Sequence, residues 1–190
     1  MIGVMGRFCF LLVGFFLSSC SSLEPAYDNS YQMAAQQSQA LLAKWRIEGR
    51  LAVVSKDESW SASLIWDHEL GNEQLSLSGP LGQSAVHLQL QNGWVILDRG
   101  NGTVERSNQP EQFLGKRLGL AVPMTALCYW LLGVPAPGQL YVIVSHGFKQ
   151  AEWSVEYKQM QQVKEFLLPK RLSVTNGYVK LKLIIDQWGI

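Results

Sequence analysis

The chain has little of what bond chemistry requires. Its three histidines, His68, His87 and His146, are scattered, with no pair at metal-ligand spacing. No Gly-x-Ser-x-Gly elbow occurs. Gly115-Lys116 resembles the end of a phosphate loop, but Pro110 stands where the earlier glycine belongs and Arg117 replaces the Ser or Thr. Asp67, Asp98 and Asp186 read most simply as turn formers at turns or strand ends. An excess of one charge is also missing: 16 Lys and Arg face 15 Asp and Glu, which removes the electrostatic reason to bind nucleic acid. No apolar run reaches the roughly 20 residues of a membrane-spanning helix, and no internal repeat or low-complexity segment stands out. Cysteine is scarce, at three residues, so the fold must stand without a disulfide framework.

What is present begins with Arg7 and the apolar run 8–17, which has the length of a signal-peptide core. It ends in Leu17-Ser18-Ser19-Cys20, which resembles the lipobox of bacterial lipoproteins. The resemblance implies a signal peptide at 1–19, a lipidated Cys20 opening a short polar tether over 20–29, and one folded domain over 30–190. Three acyl chains on Cys20, at about 0.8 kcal/mol per buried CH₂, would hold the mature chain on a membrane essentially permanently. Ser21 follows the cysteine in place of the Asp that retains enterobacterial lipoproteins on the inner membrane. The expected address is therefore the outer membrane, facing the periplasm. Cys9 leaves with the signal, and Cys128 is left without an intramolecular partner.

Residues 31–43, rich in Ala and Gln and capped by Asn29 or Ser30, are expected to form a helix with a thin apolar face. Period-two alternation follows. Trp45, Ile47, Gly49, Leu51 and Val53 share one face, with Arg46, Glu48 and Arg50 on the other; Trp60, Ala62, Leu64 and Trp66 repeat the pattern. Leu75 and Leu77, then Val86, Leu88 and Leu90, make a hairpin joined through Gly79-Pro80-Leu81-Gly82. Leu81 is anomalous at a tip that is normally polar: it either folds back over its own hairpin or enters an apolar phase. Asn92-Gly93 and Gly100-Asn101-Gly102 turn the chain into further strands at 94–97 and 103–105. Pro110 and Pro123 each suit the first turn of a helix, one through Phe113, Leu114 and Leu118, the other over 124–132. In the second, Leu127, Trp130 and Leu131 form one apolar face, and Gly133 ends it. A stiff linker at 134–138 leads to strands at 140–144, 153–157, 172–175 and 178–188. A long antiparallel sheet with one apolar face must curl on itself or be covered by the helices. Trp45, Trp60, Trp66 and Trp153 can fill a core or line a cavity, and close packing favours filling.

In order and spacing these stretches resemble the LolB family. Trp45-Arg46-Ile47-Glu48-Gly49-Arg50-Leu51-Ala52 resembles its first strand, and residues 60–66 its second. Gly79-Pro80-Leu81-Gly82 resembles its protruding loop, and Val122-Pro123-Met124 through Trp130-Leu131-Leu132-Gly133 its lid helix. Leu168-Pro169 and residues 181–188 resemble its closing strands, while 157–166 are least family-like. The resemblance implies a mainly β fold with a few helices: an incomplete antiparallel β-barrel closed by a helical lid around an apolar cavity for acyl chains. Trp45, Ile47, Leu51, Trp60, Leu64, Trp66, Leu127, Trp130, Leu131 and Trp153 are the expected lining, and Leu81 the membrane-directed residue. The implied partners are a periplasmic LolA-like lipoprotein carrier, lipoprotein acyl chains and outer-membrane lipid, met by a monomer that is not an enzyme and needs no cofactor or metal. With no nucleotide motif, transfer must run downhill by differential affinity, about 1.4 kcal/mol per tenfold step. A structural envelope lipoprotein with a filled core is the alternative, and an envelope hydrolase the weakest reading. Arg46 and Arg50 either meet an acidic carrier or belong to a solvated strand face.

Overall fold

The computed structural model describes residues 31–32, 42–56, 58–79 and 85–190. In chain order the strands are β1 (Lys44–Ser55), β2 (Ser59–Glu69), β3 (Asn72–Ser78), β4 (Val86–Gln91), β5 (Trp94–Asp98) and β6 (Val104–Ser107). Two helices follow, α1 (Pro110–Leu118) and α2 (Met124–Leu131). The chain then returns to β7 (Tyr141–Val144), β8 (Gly147–Gln150), β9 (Trp153–Val163), β10 (Phe166–Thr175) and β11 (Val179–Gly189). All eleven belong to one sheet in the order β6-β5-β4-β3-β2-β1-β11-β10-β9-β8-β7. Two antiparallel meanders are thus joined where β1 pairs with β11. The terminal strands β6 and β7 do not pair, so the barrel is incomplete, as the family resemblance implied.

Alternation sets which face is covered. In β1, Trp45, Ile47, Leu51 and Val53 are buried while Arg46 and Arg50 are exposed; in β11, Val179, Leu181, Leu183 and Ile185 are buried while Lys180 and Lys182 are not. The register between these strands shifts at Glu48/Gly49. A Cβ on Gly49 would lie 2.1 Å from the Ile184 carbonyl oxygen, so only glycine lets the backbones approach there.

Indole and phenol groups fasten the helices to the sheet. Trp60 Nε1 donates to the Leu118 carbonyl at 2.8 Å, tying β2 to the end of α1. Tyr157 Oη donates to the Trp130 carbonyl at 2.7 Å. Buried Gln150 on β8 accepts from Trp130 Nε1 and from the Ala136 amide, both at 2.8 Å, and returns a hydrogen bond to the Ala136 carbonyl at 2.7 Å. Tyr31 is also buried: its hydroxyl donates to the Gly133 carbonyl at 3.0 Å and its ring stacks on Tyr157 at 4.4 Å.

Several sequence expectations need revision. Asp67 and Asp186 are not turn residues; they lie inside β2 and β11 and pair across strands with Arg46 and Arg50. Asp98 does cap its turn, accepting from the Gly100 amide at 2.8 Å. Strand β8 was not expected, because Gly147-Phe148-Lys149-Gln150 is too short to show alternation. The strands expected at 153–157 and 172–175 run on to Val163 and back to Phe166, with irregular register around Pro169 and Arg171. The helix expected over 31–43 falls mainly outside the described residues. Among those described, no helix is long and apolar enough to cross a membrane.

Candidate functional site

A half-open cavity of about 740 Å³ lies between the helices and one end of the sheet, within the size range of small-molecule sites. Its walls come from the start of β1 (Leu42, Trp45), the β2–β3 turn (Leu70), the β4–β5 hairpin (Leu90, Trp94) and α2 with the residue after it (Met124, Cys128, Tyr129, Leu132). Gln109, Glu111 and Gln112 at the start of α1 give part of the boundary a polar character.

The helix α2 is apolar on two faces, which is why it can serve both core and cavity. Leu127, Trp130 and Leu131 are buried in the core, whereas Met124, Cys128 and Leu132, spaced by four, lie on the cavity. Pro123 precedes the helix in extended conformation, starting it cleanly at Met124.

Two neighbouring turns shape the mouth. At Asn92-Gly93 both residues have positive φ, 51° and 78°, as a two-residue turn of this kind demands. At Leu70-Gly71 the φ values are 46° and 80°, so a leucine occupies a place suited to Asn or Gly. Leu70 is also 78% exposed. Leu70 thus sets an exposed apolar side chain, in a backbone conformation costly for leucine, at the cavity mouth.

Of the ten residues expected to line the cavity, Trp45 lies on its wall. Ile47, Leu51, Leu64, Trp66, Leu127, Trp130, Leu131 and Trp153 are packed in the core behind it. Trp60 is half-buried and committed to Leu118. Alternation identified inward-facing residues, but it does not separate those that fill the interior from those that bound its open part. Gly79 directly follows β3; Pro80, Leu81, Gly82 and Cys20 lie outside the described residues.

The fold also brings together polar residues that are distant in sequence. His68 and Glu73 are cross-strand partners on β2 and β3, and Cys128 reaches them from α2, all three on the cavity wall. Glu73 is buried: one carboxylate oxygen accepts from Trp66 Nε1 at 2.7 Å, and the other is 2.8 Å from His68 Nδ1. Burial, followed by the nearby Glu73 charge, pushes the Cys128 thiol well above its usual range. The His68 ring stacks on Trp45 with centroids 4.8 Å apart. Trp45 Nε1 is buried with no hydrogen-bond partner among the described residues.

Together these features define a class: a helix-covered, incomplete antiparallel barrel with an open and largely apolar cavity at one end. The family model described as "Outer membrane lipoprotein LolB" matches residues 43–188, and the chain belongs to that family. It is 31% identical to the outer-membrane lipoprotein LolB of Halorhodospira halophila, over 94% of this chain and 92% of that one. Identity to the LolB of Nitrosococcus oceani is also 31%, covering 92% of each chain. Identity to that of Marinomonas sp. is 29%, covering 96% of each. A solved LolA-superfamily protein from Nitrosomonas europaea aligns over 82% of this chain and 90% of its own, with a TM-score of 0.47 and 8% identity.

Proposed function

We propose that the protein, lipid-anchored through Cys20 at the periplasmic face of the outer membrane, receives lipoproteins from a periplasmic LolA-like carrier and delivers them to the bilayer. Their acyl chains lie in the cavity during the handoff, and no covalent bond is made or broken. The observation that carries this reading is the half-open cavity walled by Leu42, Leu70, Leu90, Trp94, Met124 and Leu132 in a LolB-family chain. Apolar burial at about 25 cal/mol per Å² gives such a cavity its affinity for hydrocarbon, and direction comes from an affinity between those of carrier and bilayer. The protein acts as a monomer, and Leu81 serves as the membrane-directed residue that promotes release. Arg46 and Arg50 are already engaged with Asp67 and Asp186, which makes a solvated, internally paired face their simpler role.

Transfer from a loaded carrier into liposomes bearing the receptor tests the proposal. Thr125, exposed on α2 and bordering the cavity, can be enlarged without disturbing the core. Thr125→Trp should weaken binding of a fluorescent acyl probe at least tenfold and slow transfer, with little change in melting temperature; normal binding would rule out this cavity. Leu81→Glu should bind the probe normally and fail in insertion. Normal insertion would remove Leu81 from the mechanism while leaving the cavity in it.

A further inference from the structure

We propose that His68, Glu73 and Cys128 form a site for one divalent transition-metal ion, with Zn²⁺ the best match to their mixed nitrogen, oxygen and sulfur donors. Each residue offers one donor atom, and the three atoms lie within 4.8 Å of one another. Tetrahedral zinc bonded at about 2.0–2.3 Å sets its donors about 3.3–3.8 Å apart, so small side-chain adjustments suffice. A thiolate in the set selects a soft or borderline cation over Mg²⁺ or Ca²⁺.

The outer contacts that orient metal ligands are already in place. Trp66 Nε1 holds one oxygen of Glu73 and leaves the other facing His68. Stacking on Trp45 fixes the plane of the His68 ring. Such contacts around the ligands commonly account for a large part of a site's affinity. On binding, the Cys128 thiol loses its proton to solvent, and the imidazole carries its proton on Nε2 so that Nδ1 can donate its lone pair. The fourth position falls to water, since all three residues border the cavity. An ion here would fasten α2 to the β2–β3 hairpin across that cavity, an arrangement independent of whether acyl chains are the cargo.

Cobalt(II) titration of the chelator-treated full chain in mild detergent tests the site, because a cysteine ligand gives a sulfur-to-cobalt charge-transfer band. The expected result is a band that saturates at one ion per chain, disappears in Cys128→Ser, and requires at least tenfold more Co²⁺ in His68→Gln. Zn²⁺ should abolish the band and raise the melting temperature of the unsubstituted chain but not of Cys128→Ser. Absence of the band in the folded, unsubstituted chain would overturn the proposal. So would a band of equal strength in Cys128→Ser, or equal stabilisation of both chains by Zn²⁺. Because the first readout uses the unsubstituted chain, a variant that fails to fold does not protect the idea.

Discussion

Replacing Leu70 by Asn should make the protein more stable and less able to take up acyl chains. Leu70 has φ 46° in the first place of a two-residue turn whose other member, Gly71, has φ 80°. A left-handed backbone costs an ordinary L-residue roughly 1–2 kcal/mol, and Asn tolerates it better. Little packing is lost in exchange. With 78% of the residue exposed, about a fifth of a leucine's roughly 1.5–3 kcal/mol of burial is at stake, or about 0.5 kcal/mol. The Leu70 amide donates to the Ala43 carbonyl at 2.9 Å, a bond that Asn can keep. The net gain is about 0.5–1 kcal/mol, which for a chain of this size raises the melting temperature by about 1–4 °C. Urea unfolding supplies the stability, and titration with a fluorescent acyl probe supplies the affinity, which should fall several-fold as the apolar mouth loses its leucine. Lower stability would refute the strain argument. Unchanged affinity at higher stability would refute the functional one, leaving an exposed leucine in a poor turn with no role.

Two other consequences can be checked on the same material. Gln150→Leu removes the partner of Trp130 Nε1 and of both the amide and carbonyl of Ala136. At about 1–3 kcal/mol for each buried group left unpaired, the loss should be roughly 4 kcal/mol in urea unfolding, and a loss below about 1.5 kcal/mol would mean that these groups find other partners. Stability should also fall on the alkaline side. Burial raises Cys128, Tyr157 and Tyr31 above their ordinary values in the folded chain, so above the unfolded-state values the unfolded chain binds fewer protons and is favoured as pH rises. With a chelator present, urea midpoints should decline from about pH 8.5 on account of Cys128, at up to about 1.4 kcal/mol per pH unit, and more steeply above about pH 10. Cys128→Ser should flatten the first part of that decline; a flat profile to pH 10 in the unsubstituted chain would contradict it.

The sheet was legible in the sequence because alternation is a local signal: β1, β2, β4, β5 and β11 lie close to where it placed them. Turn chemistry was equally clear at Asn92-Gly93, while Gly71-Asn72, read as the lead into the β3–β4 hairpin, marks one residue late a turn centred on Leu70-Gly71, because leucine carries no such signal. The cavity was less accessible to this reasoning. Leu127, Trp130 and Leu131 form the obvious apolar face of α2, and that face is used for anchoring. The cavity-lining face is Met124, Cys128 and Leu132, which a search for a single stripe passes over. Close packing favoured a filling role for the large aromatics, and the lining expected of them came from the family resemblance. A buried Trp or Tyr needs a partner for its polar atom, and Trp60, Trp66, Trp130 and Tyr157 find theirs in Leu118, Glu73, Gln150 and the Trp130 carbonyl, which commits them to structure. The His68, Glu73 and Cys128 cluster could not be read from spacing, because the fold brings a residue of α2 to a pair on β2 and β3 that is more than fifty residues earlier in the chain.

The cavity and the root of the connection that carries Leu81 lie at opposite ends of β3 and β4. The cavity opens where β2 meets β3 and β4 meets β5. The connection that carries Leu81 is rooted at Ser78 and Val86, the far ends of β3 and β4. Between the cavity residue Glu73 and Ser78, β3 rises about 17 Å. At that far end the interior is occupied: Trp60 is bonded to Leu118, and Leu51, Val53 and Leu181 are buried. Among the described residues, these packed side chains lie between the cavity and the far ends of β3 and β4. Under the proposed function, bilayer contact by the loop and acyl binding in the cavity belong to opposite ends of β3 and β4. On that proposal a loop substitution should spare uptake and impair delivery, whereas a substitution at the mouth should impair uptake itself.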